Sequence, residues 1–585
     1  MNILLLIATI FLVGGCALPS GIPGVAYDGI PTITPLIPTP TSLDDPTWTP
    51  SQTPTATLTE TPPPSQTPTL APTLTPSPTV APLSLWVAPY LPAELTRGLV
   101  APFPLSLSDD PAGVDLKLDI GDGNVVTRLI YALTVPFPSL EEETSLEDLF
   151  EAWTESPRGI FRSTHLYLSE ATYVVFTRWW GPPSTDFVQI LPEDQILEAT
   201  WKEGAAWALV PFEKLEPGWK VITVDGDNPI WKSFDPEFYR LSMPVSLKGS
   251  DQQSVAELTD ALALSVPTPF NRDRDKLTTV VLTGVTALVR ATATEMEIKG
   301  IVYPALDVGD MFREADILHI SNEIPFAEAC PEPDYSDSDL IFCSSPDYML
   351  LLEAIGTDVV ELTGDHFGDW GTKAVLYTLE LYDDAGIRYY GGGETVEEAQ
   401  TPLIMEHNDN QIAFMGCNAK GGTYTPLIKG WPGAVDCRFD DVIPLLNQLD
   451  LEGYLTIMTF QHYEYYYFDP NYILEYDFRL VADAGADIVS GSQAHQPHGM
   501  EFYNGSTLFY GLGNLFFDQY NVSEDTARAL ITRNVIYDNQ HISSEIFTIY
   551  FKDYSRPRYL IDTERRLLLW EVFADSEWGG LTYGQ

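Results

Sequence analysis

The stretch DVVELTGDHFGDWG, residues 358–371, is a short apolar run that opens into a loop of Gly, Asp and His. Such a run reads as a buried strand whose carboxyl end faces solvent. Four other stretches repeat the pattern: ILHISNEIP at 317–325, YLTIMTFQHYEYY at 454–466, ADIVSGSQAHQPHGME at 486–501 and STLFYGLGNLFFDQ at 506–519. In an open α/β sheet the loops leaving the carboxyl ends of strands gather at one edge. Glu323, Asp365, His366, Glu464, His495 and Asn514 are therefore expected to converge. TKAVLYTLELYDDAG, just after Gly371, has the spacing of a helix, which leaves a plainer reading of Asp365-His366 open: a helix N-cap beside a surface histidine.

In order and wording these loops resemble the capsule-synthesis CapA family, also called the poly-γ-glutamate capsule domain, whose fold is similar to the calcineurin-like metallophosphoesterases. The residues that carry the resemblance are Glu323-Ile-Pro325, Asp365-His366 with Asp369 and Gly371, Glu464-Tyr465, Gly491 with His495, and Tyr510-Gly-Leu-Gly-Asn514. It covers about residues 275 to 540. The resemblance implies an αββα metallophosphoesterase-like sandwich over 277–540, with strands or an extension over 541–585. It also implies a divalent metal held by Glu323, Asp365, His366, Glu464 and His495, which would activate water against a phosphoester, ester or amide. His366 is alternatively a general acid oriented by Asp369, and His462 a substitute ligand from a shifted loop. Asn514 is a turn residue or a ligand, with Gly511 and Gly513 permitting the turn.

The sequence departs from the family pattern in ways that thin this set. Thr283-Gly284 stands where the family has Gly-Asp, Ser492 and Gln493 replace two histidines, and Phe460 replaces another. A two-metal centre is undersupplied, and at most one tightly held cation is expected. A non-catalytic, polymer-binding component is the alternative to a metal-dependent hydrolase.

The chain starts MNILLLIATIFLVGGC, and Val13-Gly14-Gly15-Cys16 looks like a bacterial lipobox, so 1–16 reads as a lipoprotein signal segment. The expected location is the outer face of the cell membrane, with a lipid on Cys16. Residues 17–82 are rich in Pro and Thr and too poor in apolar side chains to fold, which predicts a disordered stalk. At about 3 Å per residue its fifty or so residues from about Pro31 to Pro82 span up to roughly 150 Å. Of the 5 cysteines, Cys330, Cys343, Cys417 and Cys437 remain after Cys16. An even set in an exported chain predicts disulfides, most simply Cys330–Cys343 and Cys417–Cys437, and the zinc alternative lacks C-x-x-C spacing. The net charge of -52 argues against nucleic acid as a partner and would repel a polyanion such as poly-γ-glutamate. The expected partners are the membrane, through the anchor, and a capsule-like polymer or its precursor.

Residues 83–250 have their own α/β rhythm of strand-like runs, among them TYVVFTRWW and WKVITV. WALVPFEKLEPGWKVITVDGDNPI followed by FYRLSMPVSL resembles the closing part of type II periplasmic solute-binding proteins of the phosphate-binding kind. Tyr239, Leu241, Ser242 and Pro244 match that family's segment, and Arg240 replaces a proline. The resemblance implies a solute-binding-protein-like lobe, either a receptor or a scaffold without ligand. Residues 251–276 form a connector in which AELTDALALSV is expected to be one helix docked on the sheet.

The lipobox reading makes Cys16→Ala a direct test: the variant is expected to lose labelling by a radioactive or clickable lipid precursor and to leave the membrane fraction. Unchanged labelling would contradict it.

Overall fold

The computed structural model describes residues 81–583, apart from 98, 185, 336–339, 520 and 521. The signal segment with Cys16 lies outside the described residues, as does nearly all of the stalk. Among the described residues no helix is long and apolar enough to cross a membrane.

The first folded lobe is built on a mixed sheet whose long strand Asn124–Pro136 pairs with Ser242–Gly249 and then Trp219–Val221 along one edge and with Trp207–Pro211 along the other. Leu83–Val87 pairs in parallel with Leu105–Ser108 and Leu116–Ile120. Helices Leu146–Thr154 and Glu170–Trp180 start on serine caps, Ser145 and Ser169, whose side chains accept from Asp148 and Thr172 N–H and so satisfy donors left free in the first turn. The connector helix Gln252–Ala263 buries Val255, Leu258 and Leu262 against the same core, as its spacing predicts.

The second body is an αββα sandwich. Its strands are β1 (Leu277–Thr286), β2 (Ile317–Asn322), β3 (Val359–Glu361), β4 (Arg388–Tyr390), β5 (Leu403–His407), β6 (Asn410–Asn418), β7 (Leu455–Gln461), β8 (Ile488–Gly491), β9 (Met500–Tyr503), β10 (Ser506–Phe509), β11 (Asn514–Phe516), β12 (Arg528–Tyr537), β13 (Gln540–Lys552) and β14 (Arg556–Tyr559). One sheet runs β4-β3-β2-β1-β12-β13-β14, with β11 also paired to β1; the other runs β5-β6-β7-β8-β10-β9. The neighbours β1 to β4 are parallel, as are β6, β7, β8 and β10. The carboxyl ends of these two parallel sets carry the polar loops. The first sheet continues past 540 through β13 and β14, and helix Asp562–Ala574 follows it.

Strands buried on both faces need apolar residues on both, and β1 (LTTVVLTGVT) is buried at every position. Val280, Leu282, Ile317, Ile412, Phe414, Ile457 and Ile488 fill the space between the sheets. Helix α1 (Gly371–Ala385) covers the first sheet, and α2 (Phe439–Glu452) and α3 (Tyr472–Ala482) cover the second. Leu474, Phe478 and Val481 of α3 fall at i, i+4 and i+7 and are all buried. Each such side chain contributes about 1.5–3 kcal/mol by leaving water. Both expected disulfides are present, Cys330–Cys343 and Cys417–Cys437, with Cα atoms 5.8 and 5.0 Å apart.

One polar chain crosses the inter-sheet core. His319 Nε2 of β2 lies 2.7 Å from the Tyr390 hydroxyl, which lies 2.8 Å from Thr459 Oγ1 of β7, and the His319 ring stacks on Phe414. Burial drives the His319 pKa down to about 3, and burial likewise lowers His498 and His541 to about 4. The folded values lie below the unfolded value of about 6.5, so the unfolded chain takes up protons first as the pH falls. The stability they carry is complete above pH 6.5 and is lost as the pH falls through the range down to the folded values. At pH 4.5 each costs about 2–3 kcal/mol. A thermal scan is expected to show the melting temperature dropping between pH 6.5 and 4.5, with a shallower slope in His319→Gln; a flat profile in the native chain would contradict the assignment.

Candidate functional site

Glycines let the loops meet. Gly364 follows β3, and a Cβ there would stand 2.6 Å from the Glu323 Cα, so only glycine allows the loop carrying Asp365 to lie on the loop carrying Glu323. A Cβ on Gly284 of β1 would run into the Gly513 carbonyl, and one on Gly491 into that of Tyr510. The three sites draw β1, β3 and β8 against their neighbours at the edge where the polar loops emerge.

Glu323, Asp365 and His366 form a group that can hold a metal ion, offering ligand atoms within 4.8 Å of one another. Glu323 is buried, and its Oε2 has no hydrogen-bond partner. Burial, and after it the negative charge of Asp365, push the Glu323 carboxyl well above the ordinary range. Burial opposes the charge on Asp365 too, but hydrogen bonding with Glu323, the His366 ring and Lys420 hold its pKa below the usual value. Glu323 is thus pushed toward its neutral form and Asp365 toward its ionised one.

His366 Nδ1 lies 2.8 Å from Asp369 Oδ2, which also accepts the Phe342 N–H at 2.8 Å, and the ring packs on Phe342. Burial disfavours the imidazolium, yet the Asp369 hydrogen bond and the charges of Glu323 and Asp365 raise its pKa to about 9. At neutral pH it is a cation.

The acidic centre contains a second cation, from a residue that the sequence reading did not single out. The Lys420 ammonium is ion-paired with Asp365 Oδ2 and lies 3.9 Å from Glu464 Oε1. Gln461 Nε2 donates to Asp365 Oδ1 at 2.8 Å, and Gln493 Nε2 donates to Glu464 Oε1 at 3.2 Å. Lys420 follows β6 in the loop Asn418-Ala-Lys-Gly-Gly422. The Asn418 side-chain oxygen accepts the Lys420 and Gly421 N–H groups, and its amide donates to the Thr363 carbonyl at 2.8 Å. Only the position of this loop, at the end of an apolar run like the other five, offered a sequence signal.

The remaining predicted residues divide between the site and its support. His495 is buried, with Nε2 4.0 Å from Glu464 Oε1 and 3.2 Å from Gln493 Nε2. Its Nδ1 lies 2.9 Å from Asn514 Oδ1, and the Asn514 amide donates to the carbonyls of His495 and Thr526. Asn514 therefore orients His495. Burial lowers the His495 pKa, so this ring is neutral. Glu464 accepts from the Tyr466 hydroxyl at 2.8 Å and remains partly exposed. His462 is paired with Asp477 of α3 at 3.0 Å. Ser492 bonds with Glu361 and the Phe460 carbonyl, while Phe460 packs on Phe478 in the helix-side core. In β1, Gly284, where a carboxylate was expected, has no side chain, and the Gly513 carbonyl occupies the space one would take.

A two-metal centre does not fit these residues. Gly284 stands where a carboxylate was expected, three expected imidazoles are replaced by Ser492, Gln493 and Phe460, and an ammonium stands inside the acid group. A single cation on Glu323, Asp365 and His366 would require Lys420 to withdraw and His366 to lose its proton.

Residues 279–519 match the family model described as bacterial capsule synthesis protein PGA_cap. The chain is 25% identical over 185 residues to the PGA biosynthesis protein CapA of Bacillus subtilis, covering 32% of this chain and 49% of the relative. It is 23% identical over 188 residues to the capsule biosynthesis protein CapA of Bacillus anthracis, covering 32% and 46%. It thus spans about half the length of these curated relatives. Among solved structures it is similar to a 5'-nucleotidase precursor from Thermus thermophilus, at 10% identity and TM-score 0.29, covering 50% of this chain and 58% of the other. It is also similar to a phosphate transport receptor from Vibrio cholerae, at 11% identity and TM-score 0.26, covering 31% and 93%. The resemblance to the CapA family is borne out over the stretch matched.

Because the Gly364 Cβ would meet backbone, Gly364→Ala is expected to force the Asp365 loop away from Glu323. Urea unfolding should show a loss of about 1–3 kcal/mol, the usual cost of overpacking. Unchanged stability would mean that the two loops do not lie as close as described.

Proposed function

We propose that the chain is an accessory protein of capsule-like polymer assembly, exported and tethered through Cys16, whose strand-edge site holds the polymer rather than cleaving it. The match of residues 279–519 supports the polymer context. The observation that carries the binding role is a buried acceptor set without partners, Glu323 Oε2 and Gln493 Oε1, beside exposed aromatic rings. Tyr424, over whose ring the Lys420 ammonium lies, is 41% exposed; Tyr463 and Tyr467, on the Glu464 loop, are 48% and 75% exposed. Aromatic faces next to hydrogen-bonding groups suit a hydroxyl- or amide-bearing chain. With a net charge of -52, a neutral polymer is favoured over a polyanion at low salt.

The hydrolase reading draws support from the His366–Asp369 pair, a positioned proton donor at the edge of the acid group. One experiment separates the two. The purified chain is titrated with a neutral polysaccharide and with poly-γ-glutamate, and each polymer is sized by gel filtration after overnight incubation. The expected outcome is saturable binding, weakened about fivefold to tenfold by Tyr463→Ala with Tyr467→Ala, with no shortening of either polymer. Shortening that disappears in His366→Ala would favour the hydrolase, and failure to bind either polymer would overturn the binding role.

A further inference from the structure

We propose that Lys420 is a resident cation, an ammonium standing where this acid group would otherwise take a divalent metal. The site is then electrostatically complete without metal. The inference concerns metal binding alone and stands apart from any polymer.

The first support is position. The ammonium pairs with Asp365, one of the three residues that could ligate a metal, and reaches toward Glu464. The Lys420 side chain is only 11% exposed, unlike a lysine that has folded back from the surface by chance. Burying an ammonium is costly unless it is paired, so its location reflects the negative charge it neutralises.

The second support is that the backbone of Lys420 is fixed in place. Asn418 binds its N–H and that of Gly421, Ala419 N–H donates to the Gln461 carbonyl at 2.8 Å, and the Cys417–Cys437 disulfide closes the chain on either side. Through its amide on the Thr363 carbonyl, the same Asn418 also sets the start of the Asp365 loop. Lysine and aspartate are thus positioned by one residue. The third support is the pattern of losses: of the sites where the family supplies further ligands, Ser492 and Phe460 are engaged in hydrogen bonds or packing with the core, and Gln493 spends its amide on Glu464. A divalent ion would find few donors and a positive charge already seated.

The test removes the charge and keeps the shape. Mn2+ and Zn2+ are titrated at pH 7.5 into the purified full chain and into Lys420→Met, Lys420→Gln and the double variant Lys420→Met with Asp365→Asn. Isothermal calorimetry and metal content after dialysis are the readouts. The native chain is expected to keep no stoichiometric metal, and Lys420→Met to gain one site with affinity at least about tenfold higher, since a unit positive charge at contact distance has gone. The double variant is expected to lose that gain. Equal affinity in the native chain and Lys420→Met, or no gain in a folded Lys420→Met and Lys420→Gln, would overturn the proposal. If neither lysine variant folds, acetylation of the native chain decides. Lys420 should resist an amine-reactive ester with or without Mn2+, and a metal that renders it reactive would show that the ammonium is displaced rather than resident.

Discussion

The Asn418 side chain joins two sheets that share no strand. It ends β6 in the second sheet, donates to the Thr363 carbonyl beyond β3 in the first, and receives two N–H groups of the loop that carries Lys420. Asn418 is fully buried, so each of these groups would lose its partner in a place water does not reach, at a cost of about 1–3 kcal/mol per unsatisfied group. The relative height of Asp365 and Lys420 at the sandwich edge follows from this one amide. Gln461 repeats the arrangement from β7, donating to Asp365 from its side chain while its carbonyl accepts Ala419 N–H.

Much of this edge was legible in the sequence. Apolar runs ending in polar loops located β2, β3, β7, β8 and β10, and the loops after them brought Glu323, Asp365, His366, Glu464 and His495 together, because parallel strands leave their loops at one end. Lys420 was not legible. Its loop, NAKGG, reads as an ordinary turn, and the acid that gives the lysine its meaning is 55 positions away with no periodic link to it. His462 illustrates the opposite case: it lies in the expected loop but is committed to Asp477 on α3. Strands or an extension were expected over 541–585, but their place in the first sheet was not legible. β12 and β13 form a hairpin, and its second strand has a mixed polar and apolar face that a search for buried runs passes over.

The two lobes of the described chain meet through large apolar surfaces and fixed charges together. Trp201 and Phe137 of the first lobe pack with Phe502 and Trp578 of the sandwich body, and Trp201 donates its indole N–H to the Gly218 carbonyl. Around them Trp231 donates to Glu545 at 2.9 Å, Lys232 pairs with Asp316 at 2.6 Å, and Arg565 pairs with Glu142 at 2.6 Å. Buried aromatic rings supply most of the adhesion in such a junction, and the charges fix its orientation. A cavity of about 340 Å³ remains in it, lined by Lys220, Asn228, Arg533, Glu545 and Phe573 among others. On its wall Lys220 pairs with Glu142 and Arg533 with Glu545.

Asp369 gives one carboxylate oxygen to two claimants, the His366 ring and the Phe342 N–H, and Phe342 adjoins Cys343 of the first disulfide. Mutational tolerance in this neighbourhood is therefore shared. A substitution in the 330–343 segment that drags Phe342 outward also withdraws the anion that keeps His366 charged, and a change at His366 frees the segment's anchor. Substitutions at the two places should be strongly epistatic, although nothing in the primary sequence links them.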